Sequence, residues 1–153
     1  MARQLESKVF RTKQDLSSFI RGDIEVRYSP VHGRGVFATA DIPPNVCIEI
    51  CPAIVFGAHL LNDWRERMQT SLGGRHILTD HIFGRRDQDG GHAIVFGYGS
   101  IYNHNIDNNA HFRWSKVMKE PAMEFWSKKA IKKNEEIFVK YCRYEEDEWY
   151  WLD

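Results

Sequence analysis

Turn chemistry constrains this chain before anything else does. Asp41-Ile42-Pro43-Pro44-Asn45 carries two prolines that fix φ, and it ends on one of the few non-glycine residues that tolerates the left-handed region. The same device recurs at Lys132-Lys133-Asn134. A strand-like run follows each turn, Val46 to Ile50 after the first and Glu136 to Tyr141 after the second. Tight turns of this kind join short antiparallel strands.

The rest of the punctuation agrees. Ile24-Glu25-Val26-Arg27-Tyr28 alternates apolar and polar side chains as a half-buried strand does, and Ser29-Pro30 breaks it. Val36 to Ala38, Phe112 to Trp114 and Ala122 to Trp126 read as further strands. Gly73-Gly74 and Asp87-Gln88-Asp89-Gly90-Gly91 bracket a hairpin containing His76 to Phe83 and His92 to Phe96. Helical spacing is confined to Leu60, Leu61, Trp64 and Met68, which predicts one substantial helix between Gly57 and Gly73. A mostly-β (α+β) domain with one inserted helix is the fold class expected. Residues 1–23 read as an appendage in which Asp15 to Ile20 opens a short docking helix, closed by Gly22. The domain proper is expected over 24–153, with an inserted segment at about 57–92.

Composition bounds the function. The 153 residues suit one domain, and 42% hydrophobic with 13% aromatic residues supply a core. Lys plus Arg and Asp plus Glu both total 21, so no bulk cationic surface marks a direct nucleic-acid binder. The acidic run Glu145 to Glu148 suits either a basic peptide partner or a solvated terminus. Cys47, Cys51 and Cys142 are too few for a disulfide framework, and their spacing lacks the second pair of a zinc site. No helical His pair with metal-ligand spacing occurs either, so no metal is expected. Charges interrupt the N-terminus, and no run of about 18 apolar residues occurs, so an intracellular, non-membrane protein is expected.

Three islands carry chemistry. His32-Gly33-Arg34-Gly35-Val36-Phe37-Ala38 holds a Gly-x-Gly that serves either simple turn geometry or close backbone approach to a ligand. Gly97-Tyr98-Gly99 lacks the strand, helix and glycine spacing of a phosphate loop. Tyr102-Asn103-His104-Asn105-Ile106-Asp107-Asn108-Asn109-Ala110 offers an amide and an imidazole, suited to a zwitterionic amino acid or a purine edge, or to turn chemistry alone. Asn134-Glu135-Glu136-Ile137-Phe138-Val139-Lys140-Tyr141 is a strand-like run that ends on a phenol. In isolation Tyr141 would be a rim aromatic.

In that order, from about Ile24 to Trp151, the islands resemble the SET-domain protein lysine methyltransferases of the minimal, stand-alone kind. The resemblance implies a β-clip of short antiparallel sheets with a knot-like crossing, in which the segment near Tyr141 passes under the Asn103 loop. It implies S-adenosylmethionine as cofactor, held by Gly33, Arg34 and Gly35, by the Asn103 side chain at its ammonium and by the His104 backbone at its adenine. It also implies Tyr141 as the catalytic residue in methyl transfer to a lysine ε-amine. The substrate would be a histone tail or another basic protein segment, which would place the chain in the nucleus or on chromatin. Small relatives can pair, so a homodimer is open.

The chain departs from the family at Asn105, where a serine is usual, and at Asn108, where a proline is usual. No Cys-rich zinc module flanks the domain. His81, Tyr98, Val139, Tyr144, Trp149 and Trp151 are the candidates for the substrate channel, since aromatic walls can hold a lysine stem and its ammonium. Val139 stands where an aromatic residue often tunes the number of methyls added. The competing expectation is a catalytically weak SET-like module that binds partners through its acidic, aromatic C-terminus.

Overall fold

A computed structural model describes residues 18–57, 59–60, 63, 81–85 and 91–141. Among the described residues ten strands run in chain order: β1 (Phe19–Ile20), β2 (Ile24–Ser29), β3 (Gly33–Ala38), β4 (Cys47–Phe56), β5 (Ile82–Arg85), β6 (Gly91–Val95), β7 (Asn103–His104), β8 (Ala110–Trp114), β9 (Ala122–Ser127) and β10 (Glu136–Val139). They form two sheets, one ordered β5-β6-β4-β9-β8 with β1 also on β4, the other ordered β2-β3-β10-β7. His59, Leu60 and Asp63 are helical. The rest of the helix expected after Gly57 lies outside the described residues.

Both asparagines take the left-handed backbone their chemistry allows, but the expectation that each turn joins an antiparallel pair is corrected: β3 and β4 lie in different sheets, as do β9 and β10, so both turns carry the chain from one sheet to the other. Asn45 has φ 60° and Asn134 φ 69°, the two positive values among the described non-glycine residues. The turns also face each other, because buried Ile42 and Ile131 exchange backbone hydrogen bonds of 2.8 and 2.9 Å. Asp41 ties them further by accepting from the Lys133 backbone and the Lys132 ammonium, each at 2.9 Å.

Strand β4 is longer than the run Val46 to Ile50 predicts because it serves several neighbours. Cys47 to Pro52 pair with β9, while Ala53 to Phe56 pair with β6. The residues preceding β2 are a correction to the docking helix: Phe19 and Ile20 lie in strand β1, opposite Ile50 and Glu49. Their spacing suits either state, and the free edge of β4 decides it. The start of that helix, at Asp15 to Ser17, lies outside the described residues.

The core runs between the sheets. Val36, Ile48, Tyr102, Met123, Phe125, Ile137 and Val139 are buried, with Phe112, Phe83 and Tyr98 packed against them. At about 25 cal/mol per Å² of apolar surface removed from water, each such aliphatic or aromatic side chain stabilises by about 1.5–3 kcal/mol. Three glutamates are buried among them, Glu49, Glu124 and Glu136. Each has its oxygens satisfied, as burial of a carboxylate demands. Glu124 accepts from Arg113, Ser115 and the Trp126 indole at 2.7–2.9 Å.

The placement of β10 matters most for function. Although last of the described strands, it lies inside its sheet, antiparallel to β3 through Glu136↔Phe37 and parallel to β7 through Phe138↔Asn103 and Val139↔His104. Strand β10 is thus threaded between the first island and the middle island. Asn109 fastens the crossing: its Oδ1 accepts from the Phe138 amide at 2.8 Å, and its Nδ2 donates to the Glu136 carbonyl at 2.8 Å.

Candidate active site

The threading of β10 brings the three sequence islands to one seam. Gly35 on β3, Asn103 on β7 and Glu136 on β10 meet there. The Asn103 Nδ2 donates to the Glu136 carboxylate at 2.7 Å and to the Arg34 carbonyl at 2.8 Å. Ser29, at the end of β2, donates its hydroxyl to the other oxygen of Glu136 at 2.9 Å. A Cβ on Gly35 would lie 2.0 Å from that carboxylate and 3.1 Å from Asn103 Nδ2. The glycine is therefore required for the approach of Glu136. The sequence left its role open between turn geometry and close backbone approach to a ligand, and did not foresee the approach of a glutamate side chain.

Gly33 opens β3 with φ +67°, and Arg34 beside it has its carbonyl committed to Asn103. Asn103 itself is 5% exposed. With both Nδ2 protons committed, Oδ1 is the atom this amide can turn toward a cation. The register of β7 on β10, with the Asn105 amide donating to the Val139 carbonyl at 3.1 Å, leaves the His104 N–H and C=O on the side away from β10. There β7 forms the edge of its sheet.

Strand β10 stops at Val139, so Tyr141 stands just beyond the strand. Its backbone amide donates to His104 Nδ1 at 2.8 Å, and its hydroxyl donates to the Tyr102 carbonyl at 2.5 Å. The His104 and Tyr141 rings sit 5.3 Å apart. Burial of the phenol raises its pKa above the ordinary 10.0, so the hydroxyl stays protonated at physiological pH. Tyr102 is fixed at its other end, where its hydroxyl donates to buried Glu49 at 2.9 Å while Phe125 stacks on its ring at 4.6 Å.

Three of the proposed channel residues, His81, Tyr98 and Val139, fall within the described residues. His81 is exposed and bonds through Nδ1 to the Ser100 carbonyl at 2.8 Å, which ties it to the segment leading into Tyr102. Tyr98 is half-buried, and its amide donates to Glu49 at 2.7 Å. Val139 is wholly buried in the core cluster. Tyr144, Trp149 and Trp151 lie outside the described residues. Sequence reasoning missed Ser29, Glu49, Asn109 and Glu136 as contributors, and it did not foresee that the His104 imidazole would accept from the Tyr141 amide. An acidic residue opening an apolar strand, as Glu136 does, was the available signal. Its partners are too far off in sequence to be read.

Among the described residues no group of three or more His, Cys, Asp or Glu gathers as a metal site. No helix among them is long and apolar enough to cross a membrane.

Comparison with known proteins fits this geometry. The SET domain family model matches residues 33–142. A Schizosaccharomyces pombe protein named histone-lysine N-methyltransferase, H3 lysine-37 specific, is 29% identical over 122 residues, covering 80% of this chain and 75% of its own length. A Plasmodium falciparum crystal structure described as a candidate histone methyltransferase superposes with a TM-score of 0.61 at 24% identity, over 82% of this chain and 98% of that one. A Chaetomium thermophilum Polycomb Repressive Complex 2 structure, a humanized mutant bound to an inhibitor, gives 0.60 at 21% identity; the match covers 77% of this chain and 14% of that one. The last two establish likeness of fold. The chain belongs to the SET-domain family. Within it, this chain is a protein-lysine methyltransferase.

Proposed function

We propose that this chain uses S-adenosylmethionine to methylate a lysine in a histone tail, working on chromatin. The observation that carries the reading is the Tyr141 hydroxyl held on the Tyr102 carbonyl, in the same seam as Asn103 and His104. The histone assignment draws on the relative named for H3 lysine-37.

The seam suits the cofactor's chemistry. Asn103 Oδ1 can accept from an ammonium, and the outward N–H and C=O of His104 match the donor and acceptor of an adenine edge. The bound cofactor supplies a methyl group on a positively charged sulfonium. Everything else falls to the chain's own residues. Because the Tyr141 proton is committed to Tyr102, its oxygen lone pairs are left to accept from an incoming amine. An amine donating one N–H there has its own lone pair oriented by the contact. Tyr141 therefore positions the nucleophile and is not a base, consistent with a phenol held protonated by burial.

The amine must arrive neutral. At an ordinary lysine pKa of about 10.4, only about one in a thousand is deprotonated near pH 7.4. Desolvation on entering the site and the neighbouring sulfonium cation would both lower that pKa.

The deciding experiment incubates the protein with labelled S-adenosylmethionine and core histones, then maps label by mass spectrometry. Methylation of an H3 lysine supports the proposal. Cofactor binding with no transfer to any histone would sink the histone assignment, and absence of cofactor binding would sink the whole reading.

A further inference from the structure

We infer that Glu136 is a positioning residue that sets the Asn103 amide, and through it the affinity for the cofactor. The inference rests on the cofactor reading above. An asparagine amide can present either end, and a cationic ligand needs the oxygen. Two acceptors hold the Nδ2 end inward here, the Arg34 carbonyl and Glu136 Oε1. The carbonyl is a fixture of β3, whereas the carboxylate is a side chain that must itself be held.

Three features hold it. Ser29 donates to Oε2 at 2.9 Å, and that same hydroxyl oxygen accepts the Val31 amide at 3.1 Å, which leaves its proton for the carboxylate. Gly35 vacates the space into which Oε1 fits. The Glu136 carbonyl is tied by Asn109. Together β2 supplies Ser29, β3 the Arg34 carbonyl and the space at Gly35, β7 Asn103 and β10 Glu136, a cluster that fixes the orientation of the Asn103 amide. A residue 7% exposed, with its carboxylate turned inward, would not bind the cofactor directly.

Removing the acceptor loosens the amide, while keeping an oxygen preserves it. Glu136→Leu takes away both oxygens. Glu136→Gln keeps one oxygen for Asn103, and the Ser29 hydroxyl can accept from the new amide. Positioning thus predicts a large loss for Leu and a small one for Gln. A role through negative charge predicts equal losses for both.

The test is a double-mutant cycle read by calorimetry with S-adenosylmethionine on the full chain, combining Glu136→Leu with Asn103→Ala. Glu136→Leu should weaken binding about tenfold with Asn103 present but under about twofold in the Asn103→Ala background, a coupling within the usual range for residues in contact. Equal effects in both backgrounds, or equal losses for Leu and Gln, would overturn the inference. A wild-type chain that binds no cofactor would instead overturn the reading beneath it. If Glu136→Leu fails to fold by circular dichroism, Ser29→Ala crossed with Asn103→Ala takes its place, with the same coupling expected and the same additive outcome against it.

Discussion

The hydroxyl of Tyr141 donates to the backbone carbonyl of Tyr102 at 2.5 Å. Tyr102 cannot easily drift from that contact, because Glu49 holds its hydroxyl and Phe125 its ring. A phenol just past the last described strand is thereby indexed to the deepest part of the core.

The contact leads to the first prediction. Tyr141→Phe removes the oxygen that orients the amine and leaves the Asn103 and His104 groups in place. Turnover with histone substrate should fall by about 100-fold or more, the usual cost of losing one well-placed polar group in a transition state. Cofactor affinity by calorimetry should stay within about twofold, since the phenol meets the amine and not the cofactor's binding groups. Full activity in this variant would remove Tyr141 from the site.

Gly35→Ala tests how tightly the seam is packed. The added Cβ would stand 2.0 Å from a carboxylate oxygen of Glu136, so that side chain must move and release Asn103. A cost of about 1–3 kcal/mol is expected from overpacking, measured by denaturant unfolding. Cofactor binding should weaken in the same variant. Unchanged stability would show that Glu136 has room the structure does not give it.

Local chemistry explains what was legible in the sequence. Asn45 and Asn134 announced positive φ because few other residues accept it, and both adopt it; which strands the turns would join was not legible, since that depends on sheet partners distant in sequence. Gly35, Asn103, His104 and Tyr141 were found as separate islands, and the threading of β10 brought them together. Phe19 and Ile20 misled because a two-residue strand has no period of its own and takes its conformation from β4. Glu136 was passed over because its partners Ser29, Gly35 and Asn103 are distant in sequence. A buried carboxylate is recognisable only by its donors, and here each donor comes from another strand.

Asn109 should prove a structural anchor of the crossing. It is 2% exposed and bonds the backbone of β10 at Glu136 and Phe138. Asn109→Ala leaves a part-buried amide and a buried carbonyl without these partners, and the buried one alone costs about 1–3 kcal/mol. Denaturant unfolding should report a loss of that order. Hydrogen exchange at Phe138 should accelerate, and an unaltered exchange rate there would contradict the anchoring role.

Glu49 gives a pH dependence with a definite sign. Burial raises its pKa above the ordinary 4.5, and the donors Tyr98 N–H and Tyr102 O–H oppose that shift without cancelling it. The folded chain therefore holds this proton more tightly than the unfolded chain does. Its contribution to stability is complete below the unfolded pKa near 4.5 and is lost as pH rises through the folded value. Glu49→Gln is neutral at every pH, so comparing it with the wild type cancels all other titrating groups. The unfolding free energy of the variant minus that of the wild type should increase from pH 4 upward, whatever the offset caused by the altered hydrogen bonds. Denaturant titrations between about pH 4 and 8 measure it, in the window where a carboxylate raised from its ordinary value loses its proton. A flat difference would mean that Glu49 ionises with equal ease in the folded and unfolded chains, and a falling one that its donors outweigh its burial.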